Sequence, residues 1–326
     1  MQALRVEHLS RDLSGVNLTD VPVPERQRGE ALVKIRAASL NYPDLLMTSE
    51  DYQFKPEPPF TAGMELAGEV VDADSDSPLK PGDFVMGGAK TGGFAEYAAF
   101  PTASLRPMPK GVTFEVAAAL GAAYNTAYTA LVELGQLRAG QWVLIHGSSG
   151  GVGMAAVDLA MSLGAKVIAV SGSAHKLARI HKLYRPHSIV LAEGQFREQI
   201  AEITGGLLCD LVFDPVGGDI FDESTRCVAF NGKLLVVGFA GGRIASIRTN
   251  IPLIKGFSIV GVRAGEYARR FPDRGARIAA HVSDLAASGS IKPAIDRILP
   301  LSDWKTAFTA MAQRQLTGKV VMLPGA

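Results

Sequence analysis

Cysteine is scarce in this sequence. Of the 326 residues, two are cysteine, Cys209 and Cys227, and the segment between them has the pattern of a strand followed by a helix. Two cysteines allow at most one disulfide bridge. A structural zinc site needs closely spaced cysteine pairs, or a cysteine joined by histidines at suitable spacing, and the sequence contains neither arrangement. We therefore exclude a disulfide framework and a structural zinc site.

Long apolar runs and an excess of charge of one sign are also lacking. No run approaches the roughly 20 apolar residues that a membrane-spanning helix needs. Residues 1–7 lack the basic and apolar segments of a signal peptide. The formal net charge of +1 gives no electrostatic reason to expect nucleic acid or an anionic membrane as a partner. We expect a cytoplasmic protein that binds small molecules.

The residues that are present indicate an α/β protein with two domains. Residues 1–123 are rich in glycine, proline and short β-type runs, which predicts a small β-rich domain. Apolar spacing predicts a helix over residues 114–139 that enters the second domain, residues 124–265. There, short β-branched strands alternate with helices, one of them predicted over residues 219–229. This alternation is typical of a doubly wound parallel sheet.

A glycine-rich loop lies between a predicted strand and a predicted helix. Its sequence is His146-Gly147-Ser148-Ser149-Gly150-Gly151-Val152-Gly153. In this position glycines permit a tight turn, and the amides at the helix start can approach a pyrophosphate. The hydroxyls of Ser148 and Ser149 offer further donors. The alternative is an ordinary glycine-rich turn, but the alternating pattern around the loop favours a dinucleotide site.

The end of the second predicted strand indicates which dinucleotide binds. A site selective for NAD places an acidic residue there for the ribose 2′-hydroxyl. Residues 167–176 contain no acid, whereas Ser171 and Ser173 can donate hydrogen bonds and Lys176 can supply positive charge to a 2′-phosphate. We therefore predict NADPH as the cofactor. The alternative is that Lys176 merely lies on the solvated face of a helix.

Taken together, these patterns resemble the quinone oxidoreductase family, the zinc-free branch of the medium-chain dehydrogenase/reductase superfamily that includes the zeta-crystallin-like proteins. The resemblance covers the whole chain. The matching segments are Ser39-Leu40-Asn41-Tyr42-Pro43-Asp44, Gly63-Met64-Glu65-Leu66-Ala67-Gly68, Pro81-Gly82-Asp83, Gly93-Phe94-Ala95-Glu96-Tyr97, Asn125-Thr126-Ala127-Tyr128, the glycine-rich loop, Asp214-Pro215-Val216-Gly217-Gly218 and Gly318-Lys319. Their order and spacing are specific, although each segment alone is a weak signal.

The resemblance implies a Rossmann-type doubly wound sheet and a β-rich GroES-like catalytic domain, which residues 266–326 return to complete. The zinc branch of the superfamily typically has a cysteine where this chain has Leu40 or Asn41, and a histidine where it has Met64. Methionine is a poor zinc ligand and an amide does not replace a thiolate. We expect no zinc, with Glu65 acting as a structural carboxylate.

The resemblance also implies a set of cofactor contacts. The amide of Asn41 would lie beside the nicotinamide, Thr126 would contact the nicotinamide or its ribose, and Lys319 would lie near the cofactor. Gly150, Gly151 and Val152 would meet the pyrophosphate, and the strand ends at Gly238, Phe239 and Val262 would bracket the nicotinamide. The alternatives are structural: Asn41 fixes a turn, Thr126 caps a helix and Phe239 belongs to the core.

The chemistry that this site implies is hydride transfer to an electron-poor acceptor, a quinone or another α,β-unsaturated carbonyl. Tyr52 is in the place of a cleft aromatic residue in the family, and either its hydroxyl or water supplies the proton. Packing is the alternative role of Tyr52. Two other functions stay open: a double-bond reductase for alkenals or acryloyl thioesters, and an NADPH-binding protein with little turnover. We expect a homodimer paired along residues 258–262, as family members often are.

Overall fold

A computed structural model of the chain describes residues 1–49, 51–192 and 194–326. These residues form two compact units. The first comprises Met1–Ala122 and Ile295–Ala326, and the second comprises Ala123–Ala294. We expected the return to the first domain at residue 266. Residues 266–294 lie instead in the second unit, because they form helices that pack within it and the chain re-enters the first unit as a strand.

The strands are numbered in chain order. They are β1 (Gln2–Val6), β2 (Val16–Asp20), β3 (Glu30–Leu40), β4 (Phe60–Thr61), β5 (Glu65–Ala73), β6 (Phe84–Gly87), β7 (Tyr97–Pro101), β8 (Leu105–Pro107), β9 (Trp142–Ile145), β10 (Lys166–Ser171), β11 (Ser188–Leu191), β12 (Cys209–Asp214), β13 (Val228–Val236), β14 (Ser258–Gly261), β15 (Ile295–Pro300) and β16 (Lys319–Leu323).

The helices are numbered in the same way. They are α1 (Tyr42–Met47), α2 (Phe114–Ala118), α3 (Gly121–Tyr128), which continues as a π-helix (Thr129–Leu134), α4 (Gly151–Ser162), α5 (Ala174–Tyr184), α6 (Arg197–Ile203), α7 (Gly218–Ser224), α8 (Asn250–Lys255), α9 (Ala264–Arg270), α10 (Pro272–Ala287) and α11 (Trp304–Ala312). Short 3₁₀ turns lie at Thr102–Ser104 and Leu301–Asp303.

The first unit is built around β3. A seven-stranded sheet has the order β15-β16-β3-β5-β6-β8, with β7 also paired to β3, and a smaller sheet has the order β2-β1-β4. In β3 the alternate residues Ala31, Val33 and Ile35 are buried, which gives the strand one core face. Its last four residues, 37–40, are all buried, and β16 and β5 flank them. The strand therefore delivers Asn41 and the start of α1 into a buried region.

The second unit is a doubly wound sheet. Its six strands are all parallel, in the order β11-β10-β9-β12-β13-β14. Parallel strands that are covered on both faces carry nearly continuous apolar runs, and β9, β10 and β12 are almost wholly buried. The order reverses between β9 and β12. Ligands in such sheets bind outside the carboxyl ends of the strands at this reversal.

Two predicted helices are wrong in extent. The helix predicted over residues 114–139 is divided into α2, α3 and the π-helix. In the first turn of α3, the backbone N–H of Ala122 donates a hydrogen bond of 2.8 Å to Glu65 Oε1. The helix predicted over residues 219–229 ends at Ser224, because β13 pairs with β12 from Val228 onwards. Among the described residues, none of the helices combines the length and apolar character that a bilayer crossing requires.

Candidate functional site

The glycine-rich loop joins β9 to α4 at the reversal of strand order. Gly147 has φ of +55°, a backbone conformation that favours glycine. A Cβ on it would lie 3.1 Å from Cγ of Pro215, which follows β12. Gly150 is the N-cap residue of α4, in extended conformation. The loops after β9 and β12 therefore meet closely at the point where the fold predicts ligand binding.

The start of α4 packs directly against this loop. A Cβ on Gly153 would lie 2.1 Å from the carbonyl oxygen of Gly147, so the contact requires glycine. The first backbone N–H groups of a helix have no acceptor within the helix, and the positive end of the helix dipole is there. The amides of Gly151 and Val152 belong to this first turn. The geometry fits the binding of a phosphate group.

The two loop serines have different roles. The hydroxyl of Ser148 is buried and donates to the carbonyl of Val170 in β10 at 2.8 Å, so this donor is committed to the sheet. The hydroxyl of Ser149 accepts a hydrogen bond of 3.2 Å from Ser171, the last residue of β10. Ser149 and Ser171 thus form a polar pair at the carboxyl ends of β9 and β10.

The residues predicted to bind a 2′-phosphate lie at the end of β10 and the start of α5. Ser173 is the N-cap residue of α5, and its hydroxyl accepts from the backbone N–H of Lys176 at 3.5 Å. Lys176 is half-buried in the first turn of α5, whose apolar face places Leu177 and Ile180 in the core. The Ser173 hydroxyl therefore fixes the start of the helix that carries Lys176.

The other residues predicted to contact the cofactor lie just after β13 and β14 and within α3. The backbone N–H groups of Val237 and Gly238 donate to the carbonyl of Asp214, and that of Val262 donates to the carbonyl of Val236. Phe239 is 44% exposed and is therefore not a core residue. Thr126 is half-buried within α3, so it does not cap that helix.

A buried histidine beside the loop escaped the sequence analysis. The Nε2 atom of His146 lies 2.7 Å from the hydroxyl of Ser224, which itself donates to the carbonyl of Ile220 at 2.6 Å. The His146 nitrogen must therefore be the donor in their shared bond. Burial lowers the pKa of His146 to about 3, so its ring is neutral at ordinary pH. It supports α7 behind the loop and is not a charged ligand for phosphate.

In the first unit, the structure brings together Asn41 and Lys319, which the resemblance gave separately. Asn41 follows β3, and Lys319 is the first residue of β16. The ammonium of Lys319 lies 2.6 Å from Oδ1 of Asn41 and 3.4 Å from a carboxylate oxygen of Glu65. All three side chains are buried. They form a charged cluster inside the unit.

Two further charged residues lie at this cluster. Asp44 Oδ2 accepts the backbone N–H of Asn41 at 2.8 Å, and burial raises the pKa of Asp44 to about 7. Burial also lowers the pKa of Arg106, against the attraction of Glu65. The sequence analysis gave Asp44 only as part of a segment that matches the family, and it did not name Arg106, which meets Glu65 only through the tertiary structure.

Tyr52 lies in a bend and is partly buried. With Phe54 it packs against the hydrophobic core of the first unit. The ammonium of Lys90 lies over the ring of Phe54, 4.0 Å from its centre. The packing that we gave as an alternative role for Tyr52 is therefore present, and its side chain is only partly buried.

Models of two known families match the chain. The model described as "Alcohol dehydrogenase GroES-like domain" matches residues 27–110, and the model described as "Zinc-binding dehydrogenase" matches residues 151–280. The first match lies in the β-rich unit and the second lies in the unit with the parallel sheet. The two units are thus a GroES-like fold and a Rossmann-type fold.

The residues of this chain do not fit the zinc ion that the second description implies. Among the described residues, no group of three or more histidine, cysteine, aspartate or glutamate side chains is placed to hold a metal ion. The chain has Leu40 or Asn41 where the zinc branch typically has a cysteine, and Met64 where it typically has a histidine. Asn41 Oδ1 is already bonded to an ammonium group. This set of donors is unlike a zinc site.

Three known proteins are similar to this chain over most of its length. The "Quinone oxidoreductase-like protein 2 homolog" of Nematostella vectensis is 35% identical over 294 residues, which are 89% of this chain and 80% of that protein. A probable oxidoreductase from Mycobacterium abscessus is 36% identical, with a TM-score of 0.91 and 99% of both chains covered. The quinone oxidoreductase of Thermus thermophilus, also solved in complex with NADPH, is 28% identical, with a TM-score of 0.84, covering 99% of this chain and 100% of that one. The chain therefore belongs to the quinone oxidoreductase-like family, a group of oxidoreductases within the medium-chain dehydrogenase/reductase superfamily.

Proposed function

We propose that the chain is an NADPH-dependent, zinc-independent reductase that transfers hydride to a quinone or another α,β-unsaturated carbonyl compound. The observation that carries this proposal is the glycine-rich loop at the reversal of strand order, where the backbone N–H groups of the first turn of α4 are placed to bind a phosphate. The NADPH complex of the Thermus thermophilus relative supports the choice of cofactor.

The second unit supplies the proposed cofactor contacts. The amides of Gly150, Gly151 and Val152 bind the pyrophosphate at the start of α4. Ser171, Ser173 and Lys176 bind the 2′-phosphate, because β10 ends without a carboxylate that would repel it. When bound, NADPH supplies the hydride from C4 of its nicotinamide ring.

The nicotinamide half is assigned to a second group of residues. We assign it to Thr126 and to the strand ends at Gly238, Phe239 and Val262. The exposed ring of Phe239 supports this assignment, since a core residue would not be available to a ligand. The contribution of these groups is orientation, which favours a reaction that needs only a close approach of donor and acceptor.

The first unit is assigned the acceptor chemistry. Both N–H bonds of the Asn41 side chain are used within the protein, by the carbonyl of Ser39 at 3.1 Å and by Glu65 at 3.2 Å. Asn41 therefore shapes the site rather than donating to the acceptor. We assign the proton to the phenol of Tyr52 or to water, after the carbonyl oxygen of the acceptor has gained negative charge.

Steady-state oxidation of NADPH tests the proposal with four acceptors: 1,4-benzoquinone, 9,10-phenanthrenequinone, an alkenal and a crotonyl thioester. We expect turnover with the quinones that survives dialysis against a chelator. Turnover restricted to the alkenal or the thioester would replace the quinone with a double-bond substrate. Tight binding of NADPH without turnover of any acceptor would contradict the enzyme assignment and favour a cofactor-binding protein. Tyr52→Phe separates the two proton sources, because unchanged kcat would assign the proton to water.

A further inference from the structure

Lys319 is a fully enclosed lysine. Its side chain is about as buried as the core around it, with 5% of the residue exposed. A buried ammonium is costly unless it is surrounded by acceptors, and it has three hydrogens to donate. The structure provides three oxygen atoms: the carbonyl of Leu40 at 3.3 Å, Oδ1 of Asn41 at 2.6 Å and Oε2 of Glu65 at 3.4 Å. The three hydrogens of the Lys319 ammonium are therefore used within the protein.

The same contacts fix the orientation of the Asn41 amide. Oδ1 faces the ammonium, and Nδ2 faces the carbonyl of Ser39 and the carboxylate of Glu65. If the amide were turned over, its NH₂ group would face an ammonium and its oxygen would face two other oxygens. Both changes replace attraction by repulsion in a region of low dielectric constant. The positive charge of Lys319 thus selects one orientation.

Lys319 also lies near two carboxyl groups, those of Glu65 and Asp44. Glu65 Oε2 accepts from both Lys319 and Asn41, while Oε1 accepts from Ala122. Asp44 Oδ1 has no hydrogen-bond partner among the residues that the structure describes, and the charge of Lys319 acts against the rise in the pKa of Asp44 that burial causes. Arg106 is the other cation that acts on Glu65. Among the residues that the structure describes, removing the ammonium leaves Arg106 as the cation beside Glu65.

We propose that Lys319 is a positioning residue, a cation built into the chain that holds the Asn41 amide and the Glu65 carboxylate in one arrangement, in contact with Leu40 and Asn41, one of which replaces a cysteine of the zinc branch. The oxygen atoms around Nζ form the cage for this cation. A metal ion cannot enter the cage without displacing the ammonium. The proposal concerns the first unit alone, so it does not depend on the identity of the acceptor.

The proposal can be tested by truncating the Lys319 side chain and adding a small amine to the solution in its place. Lys319→Ala removes three methylene groups and the ammonium, which together correspond to propylammonium. We expect Lys319→Ala to lower Tm, and propylammonium chloride to restore most of the lost Tm in a saturable manner. The neutral analogue 1-propanol and sodium chloride of equal ionic strength should restore none. In the matched control, Lys319→Met, the apolar side chain fills the cavity, so propylammonium should have no effect.

Equal responses to propylammonium and 1-propanol would overturn the proposal, because the lost group would then act through packing alone. If Lys319→Ala does not fold, NMR of the wild-type chain provides the second measurement. The Nζ hydrogens of Lys319 and the Nδ2 hydrogens of Asn41 should exchange slowly with solvent, whereas those of an exposed lysine such as Lys182 exchange fast. Fast exchange at Lys319, or stoichiometric zinc bound by the purified wild-type protein, would also overturn it.

Discussion

The phenol of Tyr124 donates a hydrogen bond of 2.5 Å to Asp158 in the middle of α4, the helix that follows the glycine-rich loop. The same carboxylate oxygen accepts the backbone N–H of Lys292 at 2.6 Å, and Tyr184 donates to the carbonyl of Lys292 at 2.9 Å. Tyr124 and Asp158 are buried. Asp158 therefore links the backbone at Lys292, near the end of the second unit, to α4, whose first turn forms the candidate phosphate site.

This buried carboxylate predicts a pH dependence of stability. Burial raises the pKa of Asp158 from 3.8 to about 6. The folded state thus holds the proton more tightly than the unfolded state, so the contribution of Asp158 is most favourable below about pH 4 and is lost as the pH rises towards 6. By linkage the change is about 3 kcal/mol. In urea unfolding between pH 4 and 8, the stability of Asp158→Asn should therefore fall with pH by about 3 kcal/mol less than that of the wild type, and the fall that remains is the one expected from the raised pKa of Asp44.

The control for that comparison is Asp273→Asn, an exposed aspartate in the first turn of α10. It should retain the pH dependence of the wild type. Identical slopes for wild type and Asp158→Asn would show that Asp158 ionises in the folded state as easily as in the unfolded state.

Lys176→Ala should narrow the preference for NADPH over NADH. The substitution removes the positive charge proposed to meet the 2′-phosphate, and a charge-assisted hydrogen bond contributes about 1.5–3 kcal/mol, so the Kd for NADPH should rise roughly 10- to 100-fold. The Kd for NADH should hardly change. Calorimetric titration measures both, and Lys182→Ala, an exposed lysine on the same helix, is the matched control. Equal affinities of the wild type for the two cofactors would contradict the assignment of NADPH.

His146 should remain neutral from pH 8 down to pH 5. Its Nε2 hydrogen is bonded to Ser224, and burial lowers the pKa of its ring to about 3. Nitrogen NMR of the imidazole should show one protonated nitrogen, Nε2, across this range. Because the folded pKa lies below the ordinary 6.5, stability attributable to His146 falls as the pH decreases below about 6.5. A His146 signal that titrates between pH 5 and 8 would disprove the buried neutral state.

We also propose a homodimer that pairs along β14. In the part of the chain that the structure describes, β14 pairs with β13 on one side only. Phe230, Leu253 and Ile254 near this edge are 84%, 80% and 73% exposed, which is unusual for apolar side chains. Light scattering should give a dimer for the wild type, and Leu253→Lys should shift it towards monomer. Leu207→Lys, at an apolar position as exposed as Ile254, is the control. A monomeric wild type would refute the proposal.

Local sequence was a good guide to individual strands. β10 and β11 in the second unit and β16 in the first unit each contain a short run rich in valine or isoleucine, residues that favour strands. The loop before α4 was equally predictable. The close contact that requires glycine joins Gly147 and Gly153, which both lie within its eight residues.

Contacts between distant parts of the chain were not predictable in this way. Lys319 meets Asn41 across 278 positions, and Ser224 meets His146 across 78. The sequence pattern marked Ser148 as a phosphate donor, but only the arrangement of β9 beside β10 shows that its hydroxyl is used by Val170. Periodicity also missed the break before α3, because alanine and leucine at positions 117–120 favour a helix and Gly121 alone is a weak signal for a break.

The contact between Gly153 and the carbonyl of Gly147 limits how this site can be studied. With 2.1 Å between a hypothetical Cβ and a backbone oxygen, a saturation library screened only for folded protein should already return glycine alone at position 153. By contrast, Gly265, where a Cβ would meet only the tip of Arg269 at 3.6 Å, should accept alanine in the same screen. Retention of glycine at position 153 among functional variants would therefore carry no information about the cofactor. Substitutions of Lys176, in α5, report more directly on which cofactor binds.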